Sequence, residues 1–167
     1  KVTIKTKKFD NNLISNKIKN KKKIINLISF LKENKFEIFF KFFLVQGSLS
    51  NNDFIDGWSD FDSFVVIKND TLLDYKKLIE LQKKLKIFYK LVLKYSPFQH
   101  HGIIIYTEYD LKNYKHGFLP PEALKENINI FRKEKINFYK ISGKKNLSGE
   151  IIKQRNNYIK KSLSDGY

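Results

Sequence analysis

A chain of 167 residues, 41% apolar and 15% aromatic, has the material for one well-cored domain and too little length for two. It contains no cysteine, which excludes disulfides and thiolate metal sites and makes a reducing, cytoplasmic setting the expected one. No apolar run approaches the roughly 20 residues that a membrane span needs, so no membrane partner is expected.

The net charge of +16 draws attention to polyanionic partners. All basic residues but Arg132 and Arg155 are lysine, however, and AT-rich codon usage produces the same skew without selection for binding.

Lys1 to Lys8 alternates Val2 and Ile4 with polar residues, the pattern of a short edge strand or an arm. From about Ser15 to Lys35 the period becomes helical. Ile24, Leu27, Ile28 and Leu31 form one stripe, and Lys19, Lys21, Lys22 and Lys23 fall in a run that reads first as a solvated face. Glu37 to Gln46 is dense in Phe, Ile and Val and predicts a strand buried on both faces, stopped by Gly47. A polar loop, Leu49 to Trp58, follows. Its Asp53 and Asp56 suit turns and caps, and Trp58 suits packing beside the core more than stacking on a base.

Ser59 to Ile67 predicts a second strand. Thr71 is expected to open a helix to about Lys94, with Asp74 completing a weak capping box and Leu78, Leu81, Leu85, Phe88 and Val92 facing the core. A long helix between two strands is the connection that parallel pairing requires, so the strand Gln99 to Tyr106 should start at the same end of the sheet as Asp60. Thr107 to Asp110 matches a capping box for a short helix to about Tyr114, which explains Glu108 and Asp110 as helix-start carboxylates. Pro121 suits the first turn of another helix, Ile136 to Ile141 reads as a strand, and Ser148 as the cap of a last helix. One domain over 1–167 is expected, with a core at about 15–110 and an extension at about 111–167.

The stretch carrying chemistry is VQGSLSNNDFIDGWSDFDSFVVI, Val45 to Ile67. In an extended chain Asp60 and Asp62 point to one face while Phe61 turns into the core. Two neighbouring carboxylates repel unless a cation lies between them, and a hard divalent ion such as Mg2+ fits that demand. Gly47 lets a phosphate approach the backbone closely, and a short helix from Ser48 aims N–H groups outward.

Gly47-Ser48, a spacer, Ser59-Asp60-Phe61-Asp62 and then Phe64-Val65-Val66-Ile67 together resemble the signature of the DNA polymerase beta-like nucleotidyltransferase superfamily, over roughly Glu37 to Asp110. The resemblance implies an α+β fold, a small mixed sheet with flanking helices. It also implies Mg2+ or Mn2+ on Asp60 and Asp62, a triphosphate held at Gly47 and Ser48, and transfer of a nucleoside monophosphate, with ATP the first expectation, to an acceptor hydroxyl with release of pyrophosphate. The acceptor class is open among small molecules, RNA and protein.

The family's third strand usually carries a further acid. Here the strand has none, and Gln99, His100 and His101 stand at its near end. His101 is therefore the candidate for activating the acceptor, since imidazole accepts a proton near neutral pH. The alternatives are a domain of this fold that binds nucleotide or RNA without transferring, and a lysine-rich nucleic-acid-binding module.

Overall fold

The computed structural model describes residues 1–14, 21–51, 53–55, 58–97, 99, 103–114, 119, 121–124, 127–139 and 157. In chain order the elements are β1 (Val2–Lys5), β2 (Lys7–Lys8), α1 (Lys21–Glu33), β3 (Phe40–Val45), α2 (Ser48–Asn51), β4 (Ser63–Ile67), α3 (Asn69–Leu72), α4 (Tyr75–Tyr95), β5 (Ile104–Thr107), α5 (Glu108–Lys112), β6 (Ile128–Asn129) and β7 (Lys135–Phe138), with 3-10 turns at Phe36–Ile38 and Pro121–Leu124 among them. The architecture is α+β. A five-stranded mixed sheet runs in the order β2-β6-β3-β4-β5, and β1 pairs with β7 as a separate two-stranded ribbon.

Two apolar layers sandwich the sheet because β3 and β4 are buried on both faces. On one side Phe43, Val45, Val65 and Ile67 meet the α1 stripe Ile24, Leu27, Ile28 and Leu31 and the α4 residues Leu81, Phe88 and Val92. Phe88 is wholly buried, and its ring lies 6.2, 5.9 and 6.0 Å from those of Phe36, Phe43 and Phe61. Burying one such side chain stabilises the fold by roughly 1.5–3 kcal/mol. On the other side Phe42, Leu44, Phe64, Val66 and Tyr106 pack against Ile4, Leu111, Tyr114, Leu124, Ile136 and Phe138, the ribbon and α5.

The crossover works as its length demands: β4 and β5 pair in parallel, Phe64 opposite Ile104 through Ile67 opposite Thr107, with α4 between them in sequence. β3 is antiparallel to both β4 and β6. Among the described residues no helix is long and apolar enough to cross a membrane.

Several boundaries differ from the sequence expectations. The apolar run from Glu37 begins as a 3-10 turn entered through Lys35 at φ 54°, so extended structure starts only at Phe40. The helix expected from Thr71 is two helices. Thr71 is buried in α3, its hydroxyl donating to Phe39 O at 3.2 Å, whereas Asp74 is the cap of α4, accepting from Lys76 N at 2.9 Å and Lys77 N at 3.2 Å. A carboxylate cap satisfies two N–H groups at a helix start, which a buried threonine turned toward β3 does not.

The Thr107–Asp110 capping box forms as expected, with Asp110 N donating to Thr107 Oγ1 at 3.1 Å and Thr107 N to Asp110 Oδ2 at 2.7 Å. β7 spans Lys135–Phe138, short of the expected strand, and Pro121 opens a 3-10 turn rather than an α-helix. The expected helix start at 15–20, the residues beyond 139 in the expected late strand, and the helix after Ser148, apart from Asn157, lie outside the described residues.

Candidate functional site

The site sits where β3 ends and β4 begins. β3 stops at Val45, and Gly47 turns the chain with φ +67°, in the left-handed region where a side chain is strained. From Ser48 the chain winds into the single turn of α2. Its first turn closes on Gly47 O, which accepts from Ser50 N at 3.1 Å, Asn51 N at 3.2 Å and Ser50 Oγ at 2.9 Å.

The segment ahead of β4 is not a strand of its own: β4 starts at Ser63, four residues later than expected. The ladder still reaches back one step, because Gln46 N donates to Asp62 O at 3.1 Å. Phe61 N donates to Gln99 Oε1 at 2.7 Å, a buried hydrogen bond that ties this segment to the approach of β5. Phe61 itself packs on the helix side with Val65 and Ile67. By the alternation of extended chain, Asp60 and Asp62 belong to the opposite face.

Gly47 and Asp62 are in direct apposition. A Cβ built on Gly47 would stand 2.7 Å from Asp62 Oδ2, closer than a Cβ comes to any neighbouring atom in real proteins. The glycine is thus required twice, by its φ and by the carboxylate seated against it. Asp60 is buried at 8% exposure, an unusual position for a carboxylate, and Asp62 is half-buried. The structure therefore brings Gly47, Ser48, Asp60 and Asp62 to one end of the sheet. His101 lies outside the described residues.

These residues offer oxygen donors only, and two carboxylates plus substrate phosphates and water are what Mg2+ ordinarily takes. Among the described residues no group of three or more His, Asp or Glu side chains converges, so Asp60 and Asp62 are the carboxylates present for such an ion. The donor set fits Mg2+ or Mn2+.

Two features escaped the sequence reading. Trp58 is 82% exposed, so the expectation that it packs beside the core is overturned. It rides on a turn closed by Ile55 N to Ser59 Oγ at 2.9 Å, Trp58 N to Ile55 O at 3.1 Å and Ser59 N to Ile55 O at 2.8 Å, which holds the indole outside. Asn127 and Asn129 are at 1% and 0% exposure, and among the described residues the Nδ2 of each has no hydrogen-bond partner. Asn129 lies opposite Leu44 on β3, on the carboxylates' side of the sheet. No periodicity announces a two-residue strand, so neither asparagine was legible beforehand.

At the other end of the sheet Glu108 and Asp110 are held by the start of β3, α3 and the cap of α5. Glu108 Oε2 meets Lys41 Nζ at 2.6 Å and Oε1 accepts from Asn69 N at 3.2 Å. Burial works against its ionisation, but the hydrogen bonds from Lys41 and Asn69 N outweigh it and hold the carboxyl below its ordinary pKa. Asp110 completes the cap of α5. Neither belongs to the candidate site, as their sequence positions suggest. Comparison with protein-family models, curated proteins and solved structures finds no match for this chain.

Proposed function

We propose that the chain is a metal-dependent nucleotidyltransferase that moves a nucleoside monophosphate from a nucleoside triphosphate, ATP being the first donor to test, to an acceptor hydroxyl and releases pyrophosphate. The observation that carries this reading is the apposition of Asp62 Oδ2 with Gly47, 2.7 Å from where a Cβ would be. Two parts of one motif, fifteen residues apart, meet there at a backbone conformation that only glycine takes without strain.

In this reading Asp60 and Asp62 hold Mg2+ or Mn2+, and Gly47 and Ser48 receive the outer phosphates. A bound divalent ion supplies neutralisation of phosphate charge. The chain's own contribution is positioning: Phe61, anchored among Phe88 and its neighbours, fixes the backbone that carries both carboxylates. His101 is the candidate for taking the proton of the acceptor hydroxyl.

The described part of the third strand, Ile104–Thr107, bears no carboxylate. That observation favours a second reading, in which the domain binds nucleotide without transferring it. Pyrophosphate release from each of the four ribonucleoside triphosphates, with Mg2+ or Mn2+ and a panel of hydroxyl acceptors, separates the two. Transfer reduced on the order of 10²–10³-fold or more in Asp60→Asn and in Asp62→Asn, with melting curves showing both variants folded, is the expected result. Unchanged rates in both folded variants exclude the reading. Metal-dependent nucleotide binding without pyrophosphate release under any acceptor selects the second one.

A further inference from the structure

The helix layer carries a charge imbalance that the candidate site does not use. α1 holds four lysines and one glutamate, and α4 seven lysines and one glutamate, so 34 residues account for nine of the sixteen net positive charges.

The arrangement on α4 is more specific than the count. Leu81, Phe88 and Val92 face the core, and at about 100° per residue Lys76, Lys83, Lys86, Lys90 and Lys94 all lie within about 40° of the opposite pole. All five are exposed, in a line about 27 Å long at a rise of about 1.5 Å per residue. The neighbouring lysines that are engaged lie to the side: Lys84 pairs with Glu80 at 2.9 Å and Lys77 with Asp70 at 2.9 Å. Among the described residues Lys83, Lys86, Lys90 and Lys94 enter no ion pair. Such a row of like charges costs repulsion, and a partner bearing regularly spaced negative charge relieves it.

The row also points somewhere. The Lys94 end of α4 and the Lys23 end of α1 meet around a small cavity lined by Lys23, Ile24, Val92, Tyr95, Phe54 and Phe61, among others. Phe61 is the residue between the two site carboxylates, and Phe54 lies in the loop that leads to the exposed Trp58.

We infer that the outer face of α4, continued by Lys22 and Lys23 of α1, is a docking surface for a single nucleic-acid strand, whose phosphates track the lysine row toward the Asp60–Asp62 end of the sheet. Single-strand binders combine a basic track with an aromatic on which a base stacks, and the row and Trp58 supply the two parts. That the bound strand is the acceptor in nucleotidyl transfer rests on the function proposed above. Strand binding itself does not.

The test is fluorescence anisotropy with a labelled single-stranded RNA of about 20 nucleotides, with neither nucleotide nor divalent metal present, across a salt titration. Replacing Lys83, Lys86, Lys90 and Lys94 by Gln removes four charges from exposed helix positions at little cost in helix propensity. Affinity is expected to fall at least about tenfold, and the slope of log affinity against log salt to lose about 3, at about 0.7 per phosphate contact on a single strand. Replacing Lys5, Lys8, Lys133 and Lys135, exposed lysines on the opposite layer, removes the same charge and is expected to change affinity less than about threefold.

Equal loss in both quadruple variants reduces the effect to net charge and overturns the proposal. So does absence of RNA binding by the parent protein, or tighter binding of an acidic peptide of equal charge. Strand binding is read with no nucleotide or metal present and transfer by pyrophosphate release, so failure of the docking surface and failure of the transfer reading are read separately.

Discussion

The two ends of the central sheet use carboxylates in opposite ways. At the end where β5 leaves, Glu108 joins Lys41 on β3 to the first backbone N–H of α3, and Asp110 closes a reciprocal cap with Thr107. At the end where β4 enters, Asp60 is buried and Asp62 leans on a glycine in the left-handed region. The first arrangement gives Glu108 a cation and a backbone N–H, and Asp110 the N–H and hydroxyl of Thr107. The second places an acid against a turn that only glycine takes without strain. The apposition of Asp62 with a glycine in the left-handed region is what sets this end apart as a candidate site.

The contrast is broken most directly at Gly47. Gly47→Ala brings a methyl group into Asp62 Oδ2 and forces an L-residue to φ +67°. It is expected to cost about 1–2 kcal/mol of stability and to lower transfer on the order of 10²-fold, because a shift of about 1 Å in a positioning group has that effect. Chemical denaturation and pyrophosphate release measure the two. A variant of parental stability and rate would mean that the turn is neither strained nor functional.

A smaller effect comes from the structural end. Glu108→Gln removes a charge-assisted pair, partly exposed, and is expected to cost about 1 kcal/mol while leaving transfer per folded molecule unchanged. The sign of its pH dependence follows from the lowered pKa of Glu108. The glutamate's contribution is fully present above the pKa it has in the unfolded chain, and it is lost as pH falls through the lower folded value. Parent and variant should therefore differ at neutral pH and converge in acid, as urea midpoints across pH would record.

The smallest effect is expected at Trp58. An indole 82% exposed contributes little packing, so Trp58→Ala should alter stability by no more than about 0.5 kcal/mol, against about 3–5 kcal/mol for a buried aromatic such as Phe88. A thermal melt that falls as for a core residue would show the turn at Ile55–Ser59 packing its tryptophan after all.

Much of this was legible in advance, for reasons that can be named. The stripe Ile24, Leu27, Ile28 and Leu31 is buried throughout because a period of 3.6 leaves a helix one way to cover its apolar face. The parallel pairing of β4 with β5 followed from the long helix between them, and the cap at Thr107 from chemistry that spans only four residues. Gly47, Asp60 and Asp62 were identifiable as a set because a turn and a pair at a strand entrance are local patterns.

Other features depended on neighbours distant in the chain. Whether Thr71 or Asp74 capped α4 turned on Phe39 O being within reach of the threonine hydroxyl. The burial of Asn127 and Asn129 follows from β6 joining β3 beside Leu44 and Val45, a pairing between segments more than eighty residues apart.

By itself the sequence determined which residues form amphipathic helices, which form buried strands, and that a glycine turn and two aspartates lie on successive strand ends, since each follows from period and turn chemistry within a few residues. Only the tertiary structure decided that Asp62 abuts Gly47 and that Trp58 faces water. Those outcomes arise from how whole elements pack, and no window of a few residues contains that information.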